Sequence, residues 1–312
     1  MTAWTTASIP DQSGRRVIIT GASSGIGETA AAALAARGAE VVLAVRDQRR
    51  GDATRKRILA RHPDARLSVS LLDMADLSSV RAFADRMLGE SGSGGQVDVL
   101  LNNAGLGMQA ARAVTVDGFE RQFGTNHLGH FALTGLLMPA LLKAPAPRVV
   151  AISSIAHRRG RIDFTDLQGE RGYNGSKAYS QSKLANLMFA LELDRRARAA
   201  HSRLVSVAAH PGIAATGFVA AIGMPRVMVT AVNLGIGVFG QDAAQGALPG
   251  LYAATMPDVI GGEFWGPDGF LEIRGAPKSG RISAHALDRA VWQRLWTISE
   301  QLTGVTYPAL GS

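Results

Sequence analysis

Two tyrosine–lysine pairs of the form Y-x-x-x-K stand close together in this chain, Tyr173 with Lys177 and Tyr179 with Lys183. In a helix, residues four apart share a face, so each pair could set a phenol beside an ammonium group. The chemistry that follows is proton transfer. An ordinary tyrosine has a pKa of about 10, too high for efficient acid–base work near neutrality. A lysine charge about 5 Å away, at an effective dielectric near 20, is worth roughly 3 kcal/mol, or about two pKa units. The first pair encloses Gly175 and precedes any sustained apolar pattern. The second opens the run Leu184, Leu187, Met188 and Leu191, which recurs at helical spacing. Tyr179 and Lys183 are therefore the expected working pair. The plainer reading of either pair is a buried tyrosine beside a solvated lysine.

The elements that must hold this pair follow from alternating strand-like and helical runs. Strands are expected at Arg16–Thr20, Val41–Val45, Leu67–Leu72, Val97–Leu101, Arg148–Ile152 and Leu204–Ala208, with a last one near Glu263–Trp265. Helices are expected at Ile26–Arg37, after the second strand to about Arg61, from about Asp76 to Leu88, and at Gly118–Leu142, Tyr179–Ala199, Asp242–Ala254 and His285–Leu302. Strands joined by helices mean right-handed crossovers and a parallel sheet covered on both faces. The glycine- and serine-rich stretch Ser91–Gln96 reads as a short loop, and no boundary divides the chain into two domains.

The first strand runs into Thr20-Gly21-Ala22-Ser23-Ser24-Gly25-Ile26-Gly27 and then into a helix. Glycines allow a tight turn and close approach of backbone to a pyrophosphate, and the helix start offers free N–H groups and a positive dipole end. The spacing G-x-x-x-G-x-G differs from the commoner dinucleotide fingerprint. At the end of the second strand a carboxylate would accept bonds from the ribose hydroxyls of NAD. Val45 and Arg46 stand there instead, and Asp47 is expected to cap the next helix. An arginine fork suits a 2′-phosphate, so NADP(H) is expected over NAD(H), with NAD(H) still compatible.

Composition bounds the alternatives. The chain has 312 residues, 46% of them hydrophobic, which supports a real core. It has no cysteine, which excludes disulfides, thiolate metal sites and cysteine nucleophiles, and is compatible with a reducing cytoplasm. The formal charge of +8 is spread over scattered arginines with no basic tract interleaved with aromatics, so a nucleic-acid partner is not expected. No signal peptide or membrane span is read from the pattern. His127 and His130 have no third ligand nearby in sequence, so no metal is expected. His157, Arg158 and Arg159 read as a solvated loop, with contact to an acidic substrate group as the alternative.

The glycine loop, Asn102-Asn103-Ala104-Gly105 after the fourth strand, Asn126, Ser153-Ser154 after the fifth strand, and Tyr179–Lys183 together resemble the short-chain dehydrogenase/reductase family, from about Arg15 to about Phe270. Leu43-Ala44-Val45-Arg46-Asp47, Asn126-His127-Leu128-Gly129-His130-Phe131, Tyr173-Asn174, Tyr179 to Asn186 and His210-Pro211-Gly212 are most similar to its retinol-dehydrogenase-like branch. The resemblance implies a single-domain Rossmann-type α/β fold over residues 1–312, a doubly wound parallel sheet with helices on both faces. It also implies a short tail at 1–14 and a substrate lid at about 214–240.

It further implies roles. Gly21, Ser23, Ser24, Gly25, Ile26 and Gly27 would cradle the phosphates. Asp73 would contact adenine, with Met74 beside it among the cofactor contacts; the plainer reading of Asp73 is a helix-start residue. Asn103, Ala104 and Gly105 would line the nucleotide, while Asn102 ties neighbouring strands. Pro211, Gly212, Ile213 and Thr216 would hold the nicotinamide side. Ser154, second of its pair, would bond the substrate oxygen, and Ser153 would end the strand. Asn126 would hold a water leading from Lys183 to solvent. The C-terminal region with Trp292 and Trp296 would pack and close the site.

The implied activity is hydride transfer between NADP(H) and a carbonyl or secondary alcohol on a lipophilic small molecule. The apolar residues 214–240 point the same way, although a core or oligomer-contact segment is an equal reading of them. The family commonly pairs through the Asn126 and Tyr179 helices into homodimers or homotetramers. The competing functions are a non-catalytic NADP(H)-binding redox sensor and a membrane-surface protein anchored by residues 218–240.

Overall fold

Near-continuous runs of β-branched and aliphatic residues form the centre of the molecule. In the computed structural model, which describes residues 4–89, 95–213 and 241–311, β1 (Arg16–Thr20) is buried along its whole length, and β2 (Glu40–Val45) is buried from Val41 on. Strands covered on both faces have no polar side to alternate with, which is why Val17–Ile19 and Val41–Val45 are continuously apolar. The other strands are β3 (Arg66–Leu71), β4 (Val99–Asn102), β5 (Arg148–Ile152), β6 (Val205–Ala209), β7 (Phe264–Pro267) and β8 (Pro277–Ser279). They form one sheet in the order β3-β2-β1-β4-β5-β6-β7-β8. All pairings are parallel except β7 with β8. The antiparallel edge strand β8 has no counterpart in the sequence reading. Its three residues, Pro-Lys-Ser, are partly or fully exposed and carry no apolar signal.

Successive side chains in the strands alternate between the faces, so those two apart share one. Ile18, Val42, Leu100 and Val149 enter one core with α3 (Leu77–Gly89), α5 (Gly129–Leu136) and α7 (Gly175–Ala199). Val17, Ile19, Val41, Leu43, Leu101 and Val150 enter the other. That second core is covered by α1 (Gly25–Ala35) and α8 (Ala243–Thr255), with Ile58 contributed by α2 (Gln48–Leu59). The sheet order reverses direction between β1 and β4, so the chain leaves the carboxyl ends of these neighbours toward opposite faces. In open α/β sheets, ligands bind in the crevice at such a point.

The long helix expected over Gly118–Leu142 is broken into pieces. It comprises α4 (Arg121–Phe123), a π-helical turn (Gly124–Leu128), α5, and α6 (Met138–Leu141) after a break at Leu137. The π turn contains Asn126, and such turns change which residues face inward without ending the helix. The C-terminal α9 (Arg289–Thr303) packs on α5 and α7, where Trp296 meets Phe131 at 5.0 Å and stacks on Phe189 at 5.9 Å, ring centre to ring centre. The flank of α5 and α7 at Phe131 and Phe189 is thus covered from within the chain. Among the described residues, no helix is long and apolar enough to cross a membrane.

Candidate active site

The glycine loop joins β1 to α1 in the crevice between β1 and β4. Gly21 and Gly25 take positive φ, +69° and +57°, a conformation that side chains with a Cβ rarely adopt. Gly27 has another reason to be glycine: a Cβ there would lie 2.5 Å from the Gly21 carbonyl oxygen and 2.6 Å from Asn103 Nδ2. Ser24 is the N-cap residue of α1, yet its side chain makes no cap hydrogen bond. The first N–H groups of α1 are therefore left for another acceptor. A close-packed glycine turn, an uncapped helix start and a positive dipole end fit a pyrophosphate.

The surrounding residues are fixed by strand ends. Thr20 Oγ1 accepts from the N–H groups of both Asn103 and Ala104 at 2.9 Å, and Asn103 Nδ2 donates to the Thr20 carbonyl at 2.8 Å. Asn102 pairs with Ala151 of β5, the strand-to-strand link expected, and its side chain also ties β4 to α5 through Thr134 Oγ1 at 3.0 Å. Arg46 follows β2, is exposed, and makes no hydrogen bond or ion pair among the described residues. Asp47 accepts from the Arg50 N–H and caps α2. Asp73 Oδ1 accepts from the Ala75 N–H at 2.9 Å in the turn ahead of α3, where Asp76 takes N–H groups of the first helical turn, while the neighbouring Met74 is buried.

Helix α7 begins at Gly175, and Asn174 caps it by accepting from the Lys177 N–H. Tyr173 therefore lies outside the helix, and Tyr173–Lys177 is no helical pair. Its hydroxyl is engaged elsewhere, donating to Glu120 Oε1 at 3.1 Å and accepting from Gln122 Nε2 at 2.8 Å. Lys177 is exposed. Tyr179 and Lys183 are inside the helix and buried, at 6% and 5% exposure. Lys183 Nζ lies 5.9 Å from the Tyr179 ring centre and donates to the Ile152 carbonyl at 3.1 Å.

The Tyr179 hydroxyl bonds the Ser154 side chain, and Ser154 caps the short 3-10 helix Ile155–Arg159. Ser153 is held away from this contact: its Oγ donates to the Lys183 carbonyl at 2.6 Å. Asn126 and Lys183 converge on Gly105, where a Cβ would lie 3.1 Å from Asn126 Oδ1 and 3.4 Å from Lys183 Nζ. The Asn126 side chain is fully engaged, accepting from the Leu106 N–H at 2.7 Å and donating to the Leu106 carbonyl and to Ser182 Oγ. It acts as a strut between the β4 loop and α7, satisfying nearby backbone groups.

Burial decides how these groups titrate. It raises Tyr179 to about 12, with the Ser154 bond pulling weakly the other way, and lowers Lys183 to about 8. In the protein alone burial sets the direction for the tyrosine, opposite to the lowering that a neighbouring lysine charge would give. At neutral pH the pair is a protonated phenol beside a lysine still mostly cationic.

Several residues at the site carried no clear sequence signal. His130 is buried and joins the two halves of the crevice, with Nε2 2.9 Å from Thr20 Oγ1 and Nδ1 2.9 Å from the Asn126 carbonyl. His127 instead meets Ser299 Oγ at 2.9 Å, so the two histidines serve different partners. Of His157, Arg158 and Arg159, expected in a solvated loop, Arg159 alone is exposed. His157 is buried with Nδ1 2.7 Å from the Ser154 carbonyl, and Arg158 Nη2 lies 2.6 Å from Glu272 Oε2. His210 Nε2 lies 2.9 Å from the same oxygen, just ahead of Pro211, Gly212 and Ile213. Thr216 and the expected lid at 214–240 lie outside the described residues.

Comparison with known proteins matches the short chain dehydrogenase profile to residues 15–225. Retinol dehydrogenase 14 of Mus musculus is 39% identical over 94% of this chain and 86% of its own length. Retinol dehydrogenase 13 of Homo sapiens is 38% identical over 97% and 88%. The crystal structure of an uncharacterised protein from Mycobacterium paratuberculosis is 44% identical, with a TM-score of 0.79 over 98% of this chain and all of that one.

Proposed function

The chain belongs to the short-chain dehydrogenase family, oxidoreductases of alcohol and carbonyl groups, and from that premise we propose that it is an NADP(H)-dependent enzyme in which Tyr179 is the proton donor and acceptor. The bond between the Tyr179 and Ser154 hydroxyls, with Lys183 one turn along α7, is the observation that carries this reading. When bound, the reduced cofactor supplies the hydride. Every other part belongs to the chain. Ser154 Oγ and Tyr179 Oη offer two donors to one carbonyl oxygen as negative charge develops on it. Tyr179 gives up its proton to that oxygen, and the Lys183 cation stabilises the phenolate left behind. Lys183 is anchored at the carboxyl end of β5 by the Ile152 carbonyl, so its charge is held in place. In the oxidative direction the same phenolate takes the proton back.

The preference for NADP(H) over NAD(H) is supported by Arg46. It is exposed beyond β2 with no ion-pair partner among the described residues, and the adjacent carboxylate, Asp47, is occupied in capping α2. A guanidinium suits a 2′-phosphate. Higher affinity for NADH than for NADPH, unchanged in Arg46→Ala, would overturn this preference. The apolar sequence of residues 214–240 and the names of the retinol dehydrogenase relatives support a lipophilic aldehyde, ketone or secondary alcohol as substrate. The test is NADPH consumption over a panel of such compounds, with wild type and Tyr179→Phe. Turnover by wild type and its loss in the variant, with NADPH still bound, is the expected result. Tight NADPH binding without turnover of any compound would favour a redox sensor instead.

A further inference from the structure

The segment His210–Ile213 lies outside helix and strand, yet it ends β6 at the edge of the crevice. It is held by Gln241, whose N–H donates to the Ile213 carbonyl at 2.9 Å and whose side-chain amide donates to the Pro211 carbonyl, and by a second irregular segment, Phe270–Gly275. Ile213 N–H donates to the Ile273 carbonyl at 3.0 Å. Gly212 has φ +66°, and a Cβ there would overlap the same carbonyl oxygen. The supporting segment is itself strained. Leu271 and Glu272 take φ +53° and +58° in succession, left-handed conformations unfavourable for residues with a Cβ.

What keeps that strained turn in place is the Glu272 carboxylate, whose side chain is 13% exposed. Oε1 accepts from the Arg281 N–H at 3.1 Å. Oε2 faces two groups from the two sides of the crevice. His210 Nδ1 accepts from the Gly212 N–H at 3.2 Å, which places the ring proton on Nε2, where it donates to Oε2 at 2.9 Å. Arg158 Nη2 stands 2.6 Å from the same oxygen, an ion pair not aligned as a hydrogen bond. Arg158 belongs to the short helix that Ser154 caps. Gly266 leaves room for the histidine, because a Cβ there would overlap Nε2. Burial works to raise the Glu272 pKa, but the bonds from His210 and Arg281 and the charge of Arg158 outweigh it, and the carboxyl is held near 2. It is an anion throughout the neutral range.

We propose that Glu272 is the positioning residue that sets the His210–Ile213 turn against the Ser154 loop, so that the nicotinamide half of a dinucleotide is seated beside the proton donor. The inference rests on the function proposed above and extends it to a carboxylate more than 60 residues from either partner's strand in part of the chain. Glu272 touches neither hydride nor proton. Its effect is confined to one half of the cofactor, because the adenosine half is held by α1 and the end of β2.

The experiment compares binding of NADPH with binding of 2′,5′-ADP, which lacks the nicotinamide half, by calorimetry on the full chain. Glu272→Ala is expected to weaken NADPH about tenfold while leaving 2′,5′-ADP within about twofold, as loss of a charged hydrogen-bonding hub allows. Glu272→Gln keeps an oxygen for His210 and should recover most of the loss. Equal weakening of both ligands, or no change in either, would overturn the proposal. If the alanine variant does not fold, Arg158→Met is read against the same two ligands, with a smaller loss confined to NADPH expected. Wild type binding neither NADPH nor 2′,5′-ADP would instead remove the functional reading on which the proposal stands.

Discussion

Lys183 Nζ lies 5.9 Å from the centre of the Tyr179 ring, and the same nitrogen bonds the Ile152 carbonyl at the carboxyl end of β5. The lysine is thus fixed to the sheet rather than free to swing with α7. Both groups are buried, and burial moves them in opposite directions, the phenol to about 12 and the ammonium to about 8.

That opposition sets a pH dependence. In the mechanism proposed above, reduction needs the phenol protonated and the lysine charged. The phenol stays protonated across the working range, while the lysine is a cation below about 8 and loses its charge above it. The kcat/KM for carbonyl reduction should therefore bend downward above about pH 8. In Lys183→Arg, whose guanidinium keeps its charge, the residual rate should be flat through this range. A bend retained in the arginine variant would assign it to another group.

The two tyrosines should separate cleanly. Tyr179→Phe is expected to lower turnover by about 10²–10⁴, the usual contribution of a positioned acid–base group, with cofactor binding largely kept. Tyr173→Phe removes hydrogen bonds with Glu120 and Gln122 and should cost about 1–2 kcal/mol of stability with little effect on rate. Thermal unfolding and steady-state rates on the same preparations check both. The reverse ranking would move the active site to the first pair.

Gly27→Ala should weaken dinucleotide binding at least about tenfold, and it should destabilise the fold by about 1–3 kcal/mol through overpacking. Its Cβ would fall 2.5 Å from the Gly21 carbonyl oxygen, which is backbone and cannot yield cheaply. Gly172→Ala is the control, since a Cβ there meets nothing within 4 Å. Calorimetric titration of both variants decides; unchanged binding in Gly27→Ala would refute the phosphate loop.

Acid should unfold the protein through its buried histidines. Burial lowers His127 to about 3, with the charge of His130 adding to it, and lowers His130 to about 4. Each is neutral when folded and takes up a proton near 6.5 when unfolded. Their stabilising contribution is present above about 6.5 and is lost as pH falls toward those folded values. Each contributes a slope of up to about 1.4 kcal/mol per pH unit. Denaturant unfolding between pH 4 and 7 should show this fall, and His127→Phe should make it shallower. An unchanged slope in that variant would show that His127 titrates normally.

What the sequence determined by itself was local. Alternating strand and helix patterns, the glycine turn at Gly21–Gly27 and the i,i+4 spacing of Tyr179 and Lys183 are each written within a few turns of chain. Those features suffice for the sheet and the glycine turn and separate the two tyrosines, although the helix expected from Tyr179 begins four residues earlier, at Gly175, where Asn174 caps it. The edge strand β8, the π turn at Asn126 and the hub at Glu272 were not legible. Pro277–Ser279 is too short and polar to show a period, and the π turn leaves helical composition unchanged. Glu272 acquires its role only when sheet order brings β6, the Ser154 loop and the C-terminal segment together. The same holds for His130, which meets Thr20 across more than a hundred residues. Tertiary structure also decided the direction in which Tyr179 titrates, since spacing reveals a neighbouring charge but not the burial that opposes it.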